Sequence, residues 1–301
     1  MKTFRYLTLL AALHAGAAWA DTPLDLTHAA TPKVRVAISN IKGEVNVTAW
    51  DRDTVHVGGT LGDGARPLEI TGSDDDLEIK VRAQGHSGLL NWGSDNAMGA
   101  STLDVQVPRG ASLDVSVVSA PLSIDGIDGG TVEVNSVSGR VRINARTPKL
   151  SVDSVSGSIE QAGHAATADL QTVSGDILAP VLGAEARLET VSGKVQAHGG
   201  PWKKVTLSTV SGDVDVAGDM AADGKMDIDS MSGDVQVSLP TGVSTSIHAS
   251  SFSGNLRSAF GTAQRNEHGP GSELDATAGS GSARIVIESF SGDVRIRADD
   301  H

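Results

Sequence analysis

Val137-Ser138-Gly139-Arg140-Val141-Arg142-Ile143 decides the fold, because the chain repeats it. The marker glycines are Gly139, Gly157, Gly175, Gly193, Gly212, Gly233, Gly254 and Gly292. Successive gaps are 18, 18, 18, 19, 21, 21 and 38 residues. Two degenerate copies come earlier. Val118-Ser119-Ala120-Pro121-Leu122-Ser123-Ile124 has Ala in the glycine place, and Ile41-Lys42-Gly43-Glu44-Val45-Asn46-Val47 fits as well. Seven and five residues before the marker lie apolar pairs such as Val132/Val134, Leu150/Val152 and Ile285/Ile287, with mostly polar residues between them. That alternation predicts a strand with one buried face. Two and four residues after the marker lie Val141/Ile143, Val214/Val216 and Val294/Ile296, a second strand. The residue two before the marker is also apolar, from Val137 to Phe290.

The phase decides more than the period. The first strand is apolar at odd offsets from the glycine and the second at even ones, and a straight strand cannot change face midway. The chain must bend at Ser-Gly, where glycine allows a tight corner. Each repeat therefore reads as strand, corner, strand and return turn. One such unit cannot bury its own face, but stacked copies can. The expectation is an all-β chain forming a parallel β-solenoid. About nine or ten coils at ~4.8 Å each would make a rod on the order of 45 Å long. An antiparallel sandwich is the competing reading, but it does not require like positions to recur down the chain.

Outside the repeat, residues 1–20 read as a secretory signal peptide. Lys2 and Arg5 precede the apolar stretch Leu7–Ala18, and Ala18-Trp19-Ala20 suits cleavage. Export to the periplasm or cell surface is expected. Residues 21–33 read as a flexible leader, and 34–112 as the first coil with an elaborated N-terminal β cap. The expected cap strands are Thr54–Gly58, Leu68–Thr71, Leu77–Ala83 and Thr102–Val107, with Asp74-Asp75-Asp76 as a turn. Residues 113–298 form the repeat region, with an insertion at 257–282 read as a mobile loop or lateral excursion.

Composition limits the chemistry. There is no Cys, which excludes disulfides and thiolate metal sites. Net charge is −13, so a nucleic-acid partner is not expected. Hydroxyls recur both one and three residues before every marker, for example Ser174 and Thr172. A nucleophile is one residue with a base beside it, whereas a hydroxyl in every coil is a ladder that satisfies corner groups. Acids follow the marker at Asp176, Asp213, Asp234 and Asp293, and an Asp176–Lys194–Asp213 column would pair ions on a solvated face. Asp213, Asp215 and Asp234 have no cation between them and are a candidate hard-cation site. The histidines show no metal-ligand spacing. No catalytic residue and no cofactor are expected. The strand faces appear as small polar groups with little to offer a partner. The loop Gly85–Ala100 carries Leu89, Leu90, Trp92 and Met98, which either plug the first coil or contact a partner.

With the repeat laid out, strings such as that within Ser208–Val214 resemble the bacterial putative-adhesin family, a domain of unknown function. Ile41–Val47, Ala49-Trp50-Asp51, Val55-His56-Val57 and Val105-Gln106-Val107-Pro108 are similar too, and the likeness runs over residues 34–297. The resemblance implies export, a solenoid-like β fold and no catalytic residue. Some relatives are associated with envelope stress signalling. The leading expectation is a non-enzymatic envelope protein that binds an envelope protein or surface polymer. A β-helical polysaccharide lyase or hydrolase, and an accessory to a membrane stress sensor, are the alternatives. A sugar-cleaving groove needs paired carboxylates and aromatic platforms, and aromatics are only 3 % of this chain.

Overall fold

The computed structural model describes residues 22–84, 98–265 and 270–299. No helix occurs among them. The first strands are β1 (Thr22–Ala29), β2 (Arg35–Trp50), β3 (Thr54–Leu61), β4 (Ile70–Ser73), β5 (Asp76–Lys80), β6 (Ser101–Pro108), β7 (Ser112–Ser119) and β8 (Leu122–Asp128). The repeats supply β9 (Val132–Ser138), β10 (Val141–Ser156), β11 (Ile159–Gln161), β12 (Ala165–Ser174), β13 (Ile177–Ser192), β14 (Val195–Ser211), β15 (Val214–Ser232) and β16 (Val235–Leu239). The chain ends with β17 (Thr245–Ser253), β18 (Leu256–Ser258), β19 (Gln264–Arg265), β20 (Ser272–Ala278), β21 (Ala283–Ser291) and β22 (Val294–Ala298).

Like stacks on like. Along the first strand of each rung, Leu113, Val132, Leu150, Ala168, Ala186, Val205 and Met226 follow one another in parallel register. Along the second strand, Leu122, Val141, Ile159, Ile177, Val195, Val214 and Val235 do the same. Both columns are buried and belong to one core that runs from Ala30 to Ile296. Each Val, Ile or Leu so buried contributes roughly 1.5–3 kcal/mol. The corner keeps its place in the ladder: Gly157 N–H donates to Ser174 O at 3.1 Å and Gly175 N–H to Ser192 O at 3.0 Å.

In four places the return from one rung to the next is not a turn. β10, β13, β14 and β15 run unbroken through it, joining the second strand of one rung to the first of the next. Register shifts mark the place, as between Gly199/Trp202 and Trp202/Lys204 where β14 meets β15. The rungs lengthen from 18 to 19 and then to 21 residues, and the extra one and then two residues are absorbed there, so the inward columns stay aligned. Trp202 fills one of these returns and is fully buried. A Cβ on Gly199 or Gly218 would lie 2.7 or 2.6 Å from its ring.

Both ends depart from chain order. At the start, β2 pairs with β7 and β8 on one side and with β5 and β6 on the other, all in parallel. The rung made by β5 and β6 therefore lies outside β2, although it comes later in the chain. Antiparallel strands cover it: β4 pairs with β5, β3 with β6, and β1 with β3. Residues 22–29, expected within a flexible leader, are thus a paired strand. The free edge of β3 supplies the hydrogen bonds that order them. At the other end Met226 of β15 stacks on Ile285 of β21, not on Ile247 of β17, and Ile285 stacks on Ile247. The last repeat in the chain is slipped inside the one before it. The insertion makes this possible. It leaves β18, runs as β20 antiparallel along the outer edge of β17, and returns between β17 and β15.

Candidate binding groove and the acid column

Burial along β9 alternates strictly, so Glu133, Asn135 and Val137 face outward while Val132, Val134 and Ser136 face the core. The apolar residue two before each glycine is therefore an outward one. Val118, Val137, Val155, Val173, Val191 and Val210 are 45–51 % exposed, and Met231, Phe290 and Phe252 are 50–59 % exposed. Stacking sets them in one line, one per rung. Because β21 sits inside β17, Phe290 lies between Met231 and Phe252. The two rings are stacked with centroids 5.0 Å apart and planes 6° from parallel. The expectation of mostly small polar faces with little to offer a partner fails here. The parity rule that buried the odd offsets leaves the even offset in water.

This line is one wall of a groove of about 1280 Å³ that reaches from Ser39, Lys80 and Val81 to Pro270 and Glu273. Positions four and three before the glycine complete the lining. The outward position four before it includes Asp153, Glu189, Asp229 and Glu288. The Asp153 carboxyl is pushed above its ordinary pKa by partial burial, then by Asp169 and Glu133. Asp229 is raised likewise by burial, then by Glu288 and Asp227. Arg187 ion-pairs with Glu189 and lies 4.0 Å from Asp169.

The hydroxyls three before the glycine are buried, as Thr172, Thr190 and Ser230 show. Ser154 and Thr172 each donate to Gly157 O at 3.4 Å, and Ser251 donates to Gly292 O at 3.3 Å. The oxygens of Ser136, Thr190, Thr209, Ser230 and Ser289 have no hydrogen-bond partner among the described residues. The hydroxyls one before the glycine are in register from rung to rung, as Ser138, Ser156 and Ser174 are. Both rows stack as ladders beside the corner, and in the inner row Ser154, Thr172 and Ser251 bond a corner carbonyl.

The acids after the marker do a backbone job that the sequence did not announce. Asp176 accepts from the backbone N–H of Lys194 at 2.8 Å, rather than pairing with its ammonium. Asp213 accepts from Asp234 N–H, and Asp234 from Asp293 N–H, each at 3.0 Å. Asp293 accepts from Asn255 N–H at 2.9 Å. That bond, with a second from the Asn255 amide, holds the Asp293 carboxyl below its usual range. Of the candidate cation site, Asp213 and Asp234 are in adjacent rungs, while Asp215 takes a 3.4 Å bond from Gln236. Arg295 adds its guanidinium to Asp234 at 3.2 Å, so part of this acid column is already neutralised. Leu89, Leu90 and Trp92 lie outside the described residues. Met98, from the same loop, is 2 % exposed and belongs to the core.

One cluster was invisible in the sequence. His248, Glu273 and Asp275 face outward on β17 and β20, and their ligand atoms lie within 4.8 Å of one another. Only the antiparallel register of β20, inside what reads as a loop, brings them together.

The sequence matches the Toastrack DUF4097 family over residues 35–297. The chain belongs to that family. No curated protein matches it. Among solved structures it resembles a putative lipid binding protein from Parabacteroides distasonis, with a TM-score of 0.54 and 11 % identity over 91 % of this chain and 96 % of that one. It is also similar to a putative adhesin from Bacteroides fragilis, with a TM-score of 0.37 and 12 % identity over 92 % and 98 %. A further putative adhesin from Parabacteroides distasonis gives a TM-score of 0.41 and 9 % identity over 91 % and 97 %. The P. distasonis lipid binding protein shares the fold. The Toastrack match and the shared fold agree with the all-β architecture described above.

Proposed function

We propose that this Toastrack chain is an exported, non-enzymatic binding scaffold whose ligand lies along the groove. About nine or ten coils at ~4.8 Å would give a groove on the order of 45 Å long. The cap at 34–112 would close its first end, and residues 1–20 would direct export. The observation that carries the reading is the unbroken exposed ladder from Val118 to Phe252. Contiguous exposed apolar surface on a soluble chain marks a contact site. The ladder is bordered by Asp153, Glu189, Asp229 and Glu288, so charge selects among ligands. A second copy of this groove, or an anionic polymer, would bring like charges together. An elongated partner with an apolar side flanked by neutral or cationic groups fits. The lipid binding description of one structural neighbour agrees with an apolar chain as the contacting part.

A neutral solvatochromic dye such as Nile red tests this. The wild-type chain should brighten and blue-shift it, and Val173→Asp/Val191→Asp should abolish the effect without lowering Tm. Dodecyltrimethylammonium should displace the dye at lower concentration than dodecyl sulfate, both below micelle formation. Dye binding that the double variant leaves untouched would remove the groove from the account.

A further inference from the structure

The geometry points to a divalent transition-metal site at His248, Glu273 and Asp275 that fastens β20, which carries only the two-residue β19 on its far edge, to β17 of the stack. It is independent of what the groove binds.

The site is built by register. His248 of β17 and Asp275 of β20 are directly paired, and Glu273 is paired with Ser250, two residues further along β17. Ile247, Ala249 and Leu274 alternate with these residues and are buried, so the backbone on both strands is held by the core. That leaves His248, Glu273 and Asp275 on the same outer surface. His248 Nδ1 and Asp275 Oδ1 are 2.8 Å apart. One nitrogen from the imidazole and one oxygen from each carboxylate lie within 4.8 Å of one another. Bonds of about 2.0–2.2 Å to a shared ion need ligand atoms somewhat closer than the widest of these separations. Side-chain rotation about exposed χ angles supplies the difference.

The donor set chooses the metal. One imidazole with two carboxylates suits Zn²⁺ or Co²⁺ better than Ca²⁺, which asks for six or more oxygens. A neutral imidazole and two carboxylates also balance the charge of a divalent ion. Three protein ligands leave a coordination position for water or a ligand atom. Glu273 lines the end of the groove, so the ion would lie beside it. The acid column at Asp213 and Asp234 differs, because there the carboxylates are engaged by backbone N–H groups and Arg295.

The structural effect follows from position. β20 is the outer partner of β17, and the ion would join the two strands directly. Metal bound only by the folded chain raises its stability by mass action.

The test uses the mature chain stripped with a chelator and then titrated with Zn²⁺ or Co²⁺ alone. Zn²⁺ should raise Tm and bind at one equivalent by calorimetry, and Co²⁺ should give visible d–d absorption. His248→Ala and Asp275→Asn should keep the metal-free Tm, weaken binding at least tenfold and remove the absorption. Asp213→Asn should leave both unchanged. Binding equal in wild type and His248→Ala, no binding in the wild type, or binding lost only in Asp213→Asn would each overturn the assignment.

Discussion

At Gly212 the repeat shows why its marker is glycine. A Cβ there would lie 1.9 Å from Gly193 O, in the rung below. At Gly157 the corresponding clash is 2.1 Å, with Gly139 O. A positive φ or a tight corner is what the pattern predicts for the marker. A left-handed φ does occur at Gly139 and Gly233, at +133° and +123°. Close approach of stacked corners is the more general cause, because it also covers Gly157 and Gly212. Gly212→Ala should therefore destabilise by about 1–3 kcal/mol, read as a lower midpoint in urea. Lys194→Ala, one residue past a marker with an exposed side chain, should stay within ~0.5 kcal/mol. Equal midpoints for the two variants would show that the corners do not touch. The aspartates after the marker are explained at the same scale. Each accepts the N–H of the next rung's equivalent residue in a charge-assisted bond, a role that leaves no trace in residue type alone.

Within one strand, alternation sorts residues into a core column and an outer face, and the outer face carries both the apolar ladder and the acids. Asp229 bears on stability there. Its folded pKa is raised by partial burial, Glu288 and Asp227, so the ionised form is disfavoured in the fold. A carboxyl raised in this way favours the folded state below its unfolded pKa, about 3.9, and that advantage is lost as pH rises through the folded value. Asp229→Asn should then raise Tm at pH 7, and the gain should vanish below about pH 3.9. A lower Tm at pH 7 would mean that the acid row is stabilised by contacts not accounted for above. Strand placement was largely legible. The Asp74 turn, Thr54–Gly58 and Thr102–Val107 fall within or beside β3 to β6. Parity already held the exposure of Val173 and its equivalents, since offset two opposes offsets seven and five. Strand β1 was not legible, because its partner β3 lies beyond all of β2 and no local pattern links them. Nor were the continuous returns, where Gly199-Gly200-Pro201 reads as a turn but the strand runs on through it with a register shift.

Over the whole molecule, chain order and stacking order part company at both ends, and in the same manner. A rung is covered by another rung, and antiparallel strands then cover the outer one. Parallel pairing left open would offer free edges to other chains, and the antiparallel β3 with β1, β4, and β20 with β19 cover the outer rungs. The repeat alone could not predict this, since any copy fits against any other. Only the long connections at 51–111 and 257–282 give the chain room to double back. The order matters for function, because it sets Phe290 between Met231 and Phe252 and keeps the apolar ladder unbroken. Since the chain has no Cys, an introduced pair can be oxidised alone. Ser291 pairs with Ser232 on one side and Ser253 on the other, so Ser232 and Ser253 are two rungs apart, roughly 9–10 Å. Cysteine pairs at 291 with 253 and at 291 with 232 should cross-link under mild oxidation, whereas 232 with 253 exceeds the reach of about 7 Å between Cα atoms. Efficient cross-linking of 232 with 253, and none of 291 with 232, would mean that the rungs follow chain order and that Phe290 does not lie between Met231 and Phe252.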